Sequence, residues 1–231
     1  MKTIGLIGGM TWHSTVDYYR LINEDVQRRL GGSFSARIVL YSVEFDEFEK
    51  LQGKGDWDRL TALMTDAARR VETGGADVLL ICANTMHKTA EAVSSAVRIP
   101  LIHIADAAAA EITRLGLKTV GLLGTRYTME QDFYRRRLEE RNGLRVLIPD
   151  APERDRVHEI IYTELGRGLI KDSSRVEYVA IIEDLRKRGA EGVILGCTEI
   201  PLLVKSGDAS VPVFDTTMLH ARAAVDWALA D

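Results

Sequence analysis

The two halves of the chain read alike. Lys2-Thr3-Ile4-Gly5-Leu6-Ile7-Gly8 is matched by Lys118-Thr119-Val120-Gly121-Leu122-Leu123-Gly124, and Gly75-Ala76-Asp77-Val78-Leu79-Leu80-Ile81 by Gly189-Ala190-Glu191-Gly192-Val193-Ile194-Leu195. Ile99-Pro100-Leu101-Ile102 is matched by Val211-Pro212-Val213-Phe214. Any α/β chain repeats an apolar strand followed by glycine, but three matches in the same order indicate a duplicated fold.

Within each half, short apolar runs alternate with longer amphipathic stretches. The runs at 4–7, 38–41, 78–81, 120–123, 145–148 and 193–195 suit buried parallel strands. Between them, Ser14 or Thr15 can open a helix running toward Leu30 and closed by Gly31-Gly32. Asp56 can open one over 57–72, and Asp172 or Ser173 one over 175–188. Strand–helix alternation means βαβ units and parallel sheets. The expected fold is therefore α/β: two similar Rossmann-like lobes with parallel sheets related by the repeat. An N-terminal lobe takes 1–98 plus 212–231 and a C-terminal lobe 99–211. No Pro/Gly/Ser-rich linker separates the halves, so the expected active site is a cleft between closely packed lobes.

Composition removes several functions. The net charge of −4 gives no basic footprint for nucleic acid, and Arg135-Arg136-Arg137 reads as a solvated helix face. Two cysteines, Cys82 and Cys197, are too few for a disulfide scaffold, and no C-x-x-C or H-E-x-x-H pattern offers a metal site. The start, MKTIGLIGGM, reads as a buried strand and not as an export signal. No apolar run approaches the ~20 residues of a membrane helix. The expected location is the cytoplasm, with reduced thiols.

In open parallel sheets, ligands bind beyond the carboxyl ends of the strands. Four loops fall there: residues 8–15, 82–87, 124–128 and 196–201. Each is rich in small residues and hydroxyls and leads into an expected helix, whose free N–H groups can hold a carboxylate. The Gly8-Gly9 loop is neither G-x-G-x-x-G nor a P-loop, which weakens a nucleotide reading. Cys197 is the foremost candidate. A thiol between a strand and a helix start can have its pKa lowered and can take a proton from carbon or attack as a nucleophile. The competing reading is a buried small hydrophobe. Glu199 could orient or acidify a partner, or simply stabilise the helix start. His87 could be a general acid or a structural hydrogen-bonding residue. His103 and His220 read as packing residues.

Asn84-Thr85, Gly196-Cys197-Thr198-Glu199 and the Gly8-Gly9-Met10 loop resemble the signature loops of the aspartate/glutamate racemase superfamily. The segment Leu123-Gly-Thr-Arg-Tyr-Thr-Met-Glu-Gln-Asp-Phe-Tyr134, which includes Thr125 and Thr128, resembles its bacterial amino-acid racemase branch, as does the 82–87 loop. The resemblance spans essentially the whole chain. It implies a cofactor-independent amino-acid racemase, a small-molecule amino-acid substrate and a homodimer. It further implies two facing cysteines, one removing the α-proton and the other returning one. Asn84, Thr85, Thr125 and Thr198 would hold the substrate's carboxylate and amine, with Met10, Thr128 and Glu199 in the same loops.

Two departures qualify it. The family's first cysteine stands directly before Asn-Thr, where this chain has Ala83; Cys82 is one residue earlier. The repeat agrees: the offset of 114 that carries Ala76 onto Ala190 carries Ala83 onto Cys197. A one-residue shift reverses the face of a strand, so Cys82 points into the core unless the strand has already ended. Cys82 or a water then supplies the second acid/base, or the enzyme is a single-cysteine lyase or isomerase of the same fold. A third option is that Ala83 marks the loss, natural or engineered, of one base, leaving a slow or one-directional enzyme. The second departure is Ser42-Val43-Glu44-Phe45-Asp46-Glu47, acidic where some aspartate racemases carry an arginine for the side-chain carboxylate. Lys171, Arg167 and Arg126 are the alternative cations, with surface salt bridging as their competing role.

Overall fold

A computed structural model describes residues 1–230 of the chain. It divides into two compact units, Met1–Ile104 together with the segment from His220, and Ala105–Leu219. In the first, β1 (Ile4–Gly8), β2 (Ile38–Ser42), β3 (Val78–Ile81) and β4 (Leu101–Ile102) form a parallel sheet in the order β2-β1-β3-β4. In the second, β5 (Thr119–Gly124), β6 (Arg145–Leu147), β7 (Gly192–Gly196) and β8 (Val213–Asp215) form a parallel sheet in the order β6-β5-β7-β8. The two orders are the same, as a duplicated α/β fold requires.

The equivalence extends to single hydrogen bonds. Ile4 pairs with Val78 in the first sheet, and their repeat partners Val120 and Gly192 pair in the second. Leu79 N donates to Pro100 O and Val193 N to Pro212 O, both at 2.9 Å. Asp77 accepts from Thr3 N at 2.6 Å, and Glu191 from Thr119 N at 2.7 Å.

Central strands are buried along their length, which is why β1, β3 and β7 read as unbroken apolar runs with no polar face. Around β3, side chains alternate between two cores. Val78 and Leu80 join Ile4 and Leu6 beneath Tyr18, Ile22 and Val26 of the helix Trp12–Leu30 and Ala221, Ala224 and Val225 of the helix Thr216–Leu229. Leu79 and Ile81 join Ile7 beneath Leu60, Met64, Ala67, Ala68 and Val71 of the helix Trp57–Thr73. Those five positions recur at helical spacing, and Asp56 caps the helix by accepting from Arg59 N. Each fully buried aliphatic side chain contributes ~1.5–3 kcal/mol.

Both unit boundaries fall later than the sequence division at 98/99 and 211/212. β4 stays in the first sheet because it pairs with β3, and β8 stays in the second because it pairs with β7. The chain changes unit only after each of these strands, so the helix Thr216–Leu229 follows the second sheet but covers the first. The first helix begins at Trp12 behind Thr11, earlier than expected, with Ser14 and Thr15 inside its first turn. The helix expected over 175–188 runs from Asp172 to Lys187.

Candidate active site

The loops named from sequence follow the carboxyl ends of β1, β3, β5 and β7, the central strands of each sheet. In the second unit, close approach of β5 and β7 brings two of them together. Gly124 and Gly196 are register partners, and a Cβ on Gly124 would lie 2.6 Å from Gly196 O. A Cβ on Gly196 would lie 2.8 Å from Leu123 O. Only glycine allows this spacing, and Thr128 packs against both. Thr125 caps the helix Arg126–Glu130: its Oγ1 accepts from Thr128 N at 3.3 Å and lies 3.2 Å from Thr128 Oγ1. Thr125, Thr128, Cys197, Thr198 and Glu199 are all buried.

Cys197 and Glu199 form the chemical centre of this loop. Cys197 Sγ donates to Glu199 Oε2 at 3.0 Å, and Thr198 Oγ1 donates to the same oxygen at 2.9 Å. Cys197 is 7% exposed, at the edge of an apolar cluster containing Tyr178, Val193, Leu195 and Ile200. Burial raises its thiol pKa well above the ordinary value and the Glu199 carboxylate adds to this, while the N–H groups of Glu199 and Thr198 oppose it. The lowered pKa expected from a helix start is thus reversed. The helix after Cys197, Ile200–Leu203, is a single turn with little dipole to offer, and a carboxylate stands against the thiol. The resting group is a thiol whose proton points at a base.

The first unit carries the same loop without that pair. Cys82 is fully buried in the core beneath Tyr18 and Ala221, on the face of Val78 and Leu80, and burial raises its thiol pKa. Ala83 lies on the opposite face with Leu79, Ile81 and Met10. Side-chain alternation therefore continues past the last residue of β3, which leaves Cys82 facing the core. Met10 follows Gly9, whose φ of +97° and whose would-be Cβ, 2.3 Å from Val43 O, both demand glycine. Gly9 N donates to Thr15 Oγ1 at 2.8 Å, holding this loop to the helix Trp12–Leu30. Asn84 and Thr85 are buried at the start of the 3-10 turn Thr85–Thr89.

His87 has a defined tautomer. Nε2 accepts from Ile104 N at 3.2 Å, so Nδ1 carries the proton and donates to Ala83 O at 2.8 Å. Both nitrogens hold backbone, and the general-acid reading is not supported. The His103 ring lies tilted against His87, with centroids 4.4 Å apart, and His220 bridges Tyr18 and Ile102 O.

The three candidate cations lie apart in role. Arg126 pairs with Asp155 at 2.9 Å. Lys171 pairs with Glu164 at 3.2 Å, and Ser174 donates to the other oxygen of Glu164 at 2.6 Å. Arg167 lies in the turn Leu165–Arg167, which packs against the helix after Cys197. Glu164, a buried carboxylate whose pKa is lowered by Ser174 and then Lys171, escaped the sequence reading because nothing in its spacing sets it apart from a surface glutamate. Tyr178 lies beside Cys197 in the same cluster and donates to Val157 O at 3.1 Å. His158 accepts from Arg126 N at 3.2 Å at the head of the Thr125 helix.

Known proteins resemble the chain over its whole length. A crystal structure from Yersinia pestis, provisionally described as an Asp/Glu racemase, is 53% identical over 100% of both chains with a TM-score of 0.93. An aspartate racemase homologue from Pyrococcus horikoshii OT3 is 39% identical, again over 100% of both, with a TM-score of 0.84. The broad-specificity amino-acid racemase RacX of Bacillus subtilis (strain 168) is 23% identical over 235 residues, 98% of each chain. The profile of the Asp/Glu/Hydantoin racemase family matches residues 7–224. The chain belongs to the Asp/Glu/Hydantoin racemase family.

Proposed function

We propose that this protein is a cofactor-independent amino-acid isomerase that transfers the α-proton through Cys197. The observation carrying this reading is the Cys197 Sγ–Glu199 Oε2 hydrogen bond of 3.0 Å at the carboxyl end of β7. Glu199 takes the thiol proton; the thiolate then takes the α-proton, and the electron pair left on carbon spreads into the substrate carboxylate. Thr198 and the Thr125–Thr128 cap are the groups to hold that carboxylate and the amine. Fixed donors in a dry site favour the developing charge. The thiol–carboxylate pair supplies acid and base, so the reading requires no cofactor.

The reading takes neutral and acidic side chains alike: Lys171 and Arg126 are each paired with a carboxylate and the stretch after β2 is acidic, whereas Arg167, in the turn beside the helix after Cys197, makes no ion pair among the described residues. The broad-specificity activity named for the Bacillus relative is consistent with this. The test is incubation of both enantiomers of neutral and acidic amino acids in heavy water. Wild type incorporates α-deuterium, and Cys197→Ala loses at least ~10³-fold in rate. Failure of every amino acid to take up deuterium would sink the proposal. Single-cysteine cleavage or isomerisation is the second reading, favoured by the burial of Cys82. It is separated by offering malonate and maleate analogues.

A further inference from the structure

The order β6-β5-β7-β8 sets β7 between two strands, so the loop after it has a neighbour on each side. On the β5 side stand Thr125 and Thr128. On the β8 side stand Thr216 and Thr217, which open the helix Thr216–Leu229. Leu195 pairs with Asp215 across β7 and β8, so the two threonines leave the sheet beside Gly196 and Cys197. All of these residues belong to the second unit.

The two hydroxyls differ in what they hold. Thr216 Oγ1 donates to Leu195 O at 2.9 Å and ties the helix start to β7. Thr217 is 3% exposed, and its Oγ1 meets no hydrogen-bond partner among the described residues. The helix start does not call for it. Asp215 Oδ1 accepts from Thr217 N at 2.9 Å and from Met218 N at 3.1 Å, which is the capping role. The fold does not call for it either. The offset of 112 that carries Pro100 onto Pro212 carries Ile104 and Ala105 onto Thr216 and Thr217, and Ile104 likewise opens a helix, Ile104–Arg114. A methyl group serves there. Buried polar groups are bonded in the large majority of cases, and one left unbonded is unfavourable. A hydroxyl that the fold neither needs nor pairs calls for a partner from outside the chain.

We infer that Thr217 is a substrate-binding residue: its hydroxyl donates to a carboxylate oxygen of the amino acid whose α-proton Cys197 removes. The inference rests on the reading of Cys197 as the α-proton base. Negative charge builds on that carboxylate as the Cα–H bond breaks, so the hydrogen bond is stronger in the transition state than in the bound substrate. Removing a hydrogen bond to a charged group costs about 10- to 10²-fold. Thr217→Val keeps the shape of the side chain and deletes the hydroxyl. With no bond to lose in the free protein, its folding stability should hold or rise.

The experiment measures initial α-deuterium incorporation into both enantiomers of alanine, aspartate and glutamate in heavy water, over a range of substrate concentrations. Wild type, Cys197→Ala, Thr217→Val and Thr217→Ser are compared, with urea denaturation of each without substrate. Thr217→Val should lose ~10–10²-fold in kcat/KM for every amino acid that the wild type exchanges, chiefly through kcat, at an equal or higher urea midpoint. Thr217→Ser, which retains a hydroxyl, should recover most of the rate. A lower midpoint in Thr217→Val, or no recovery in Thr217→Ser, would give the hydroxyl a structural role and overturn the inference. A loss confined to aspartate and glutamate would overturn the assignment to the α-carboxylate. Unchanged kcat/KM in Thr217→Val, with exchange abolished in Cys197→Ala, would overturn the inference and leave Cys197 as base intact. No deuterium in any amino acid with the wild type would overturn both this inference and the proposed function beneath it.

Discussion

At Cys197 the decisive quantity is where the proton rests. The thiol is buried beside a carboxylate that accepts its hydrogen bond, so both desolvation and charge favour the protonated form. Glu199 thus has two opposed effects: its charge raises the thiol pKa, and its oxygen receives the proton when the thiolate forms. Glu199→Gln should separate them. Without the negative charge, the pH profile of Cys197 alkylation by iodoacetamide should shift to lower pH. The exchange rate should nevertheless fall by ~10²–10⁴-fold, because the proton acceptor is gone. A merely structural role would lower the rate and leave the alkylation profile in place. Intact mass gives the internal control, with one alkyl group on the native chain and two after unfolding, since Cys82 is sealed in its core. The parity of the repeat pointed Cys82 into the core only if the strand's alternation continued through it, and the structure shows that it does. The direction of the Cys197 shift was not legible, because it depends on how short the following helix is and on which way Glu199 turns.

Among elements, the repeat carried most of the fold. Three matched segments were enough to expect two parallel sheets, and the structure reproduces the match in strand order and register. The unit boundaries were less legible, although the repeat held a clue. Residues 99–102 and 211–214 are partners, so each must close its own sheet and neither can open the next. That the helix Thr216–Leu229 covers the first sheet lay outside the signal, since its apolar residues do not name the sheet they cover. The contact between β5 and β7 was hidden for a different reason. In the sequence Gly124 and Gly196 belong only to loops at strand ends, whereas in the fold they let two backbones approach. Gly124→Ala would force its new methyl against Gly196 O, which as backbone cannot turn aside. The strands must part, moving Thr125 and Thr128 away from Cys197. The expected cost is ~1–3 kcal/mol in urea denaturation, with a fall in exchange rate larger than the lost folded fraction explains. Loss of activity in proportion to folded protein alone would reject the positioning role of this contact.

Across the whole molecule, the two units can be followed separately because the tryptophans are not shared. Trp12, Trp57 and Trp227 all belong to the first unit, so tryptophan fluorescence reports its unfolding. His220 belongs to that unit as well. It is fully buried, accepts from Tyr18 OH at Nδ1 and donates from Nε2 to Ile102 O. Burial lowers its pKa to about 4, against ~6.5 for an unperturbed histidine. Between those values the unfolded chain binds a proton that the folded unit refuses, so stability rises with pH there. The contribution is fully present above ~6.5 and is lost as pH falls toward 4, up to ~3 kcal/mol in all. Carboxylates with lowered pKa, such as Asp25, give up their contribution only as pH falls below their own ordinary range, which separates the windows. The fluorescence midpoint in urea should therefore drop between pH 7 and pH 4.5. In His220→Gln the midpoint starts lower, because Tyr18 or Ile102 loses a partner, but its pH dependence over the same window should be flatter. The slope and not the level is diagnostic: equal slopes in wild type and variant would mean that some other group carries the acid sensitivity of the first unit.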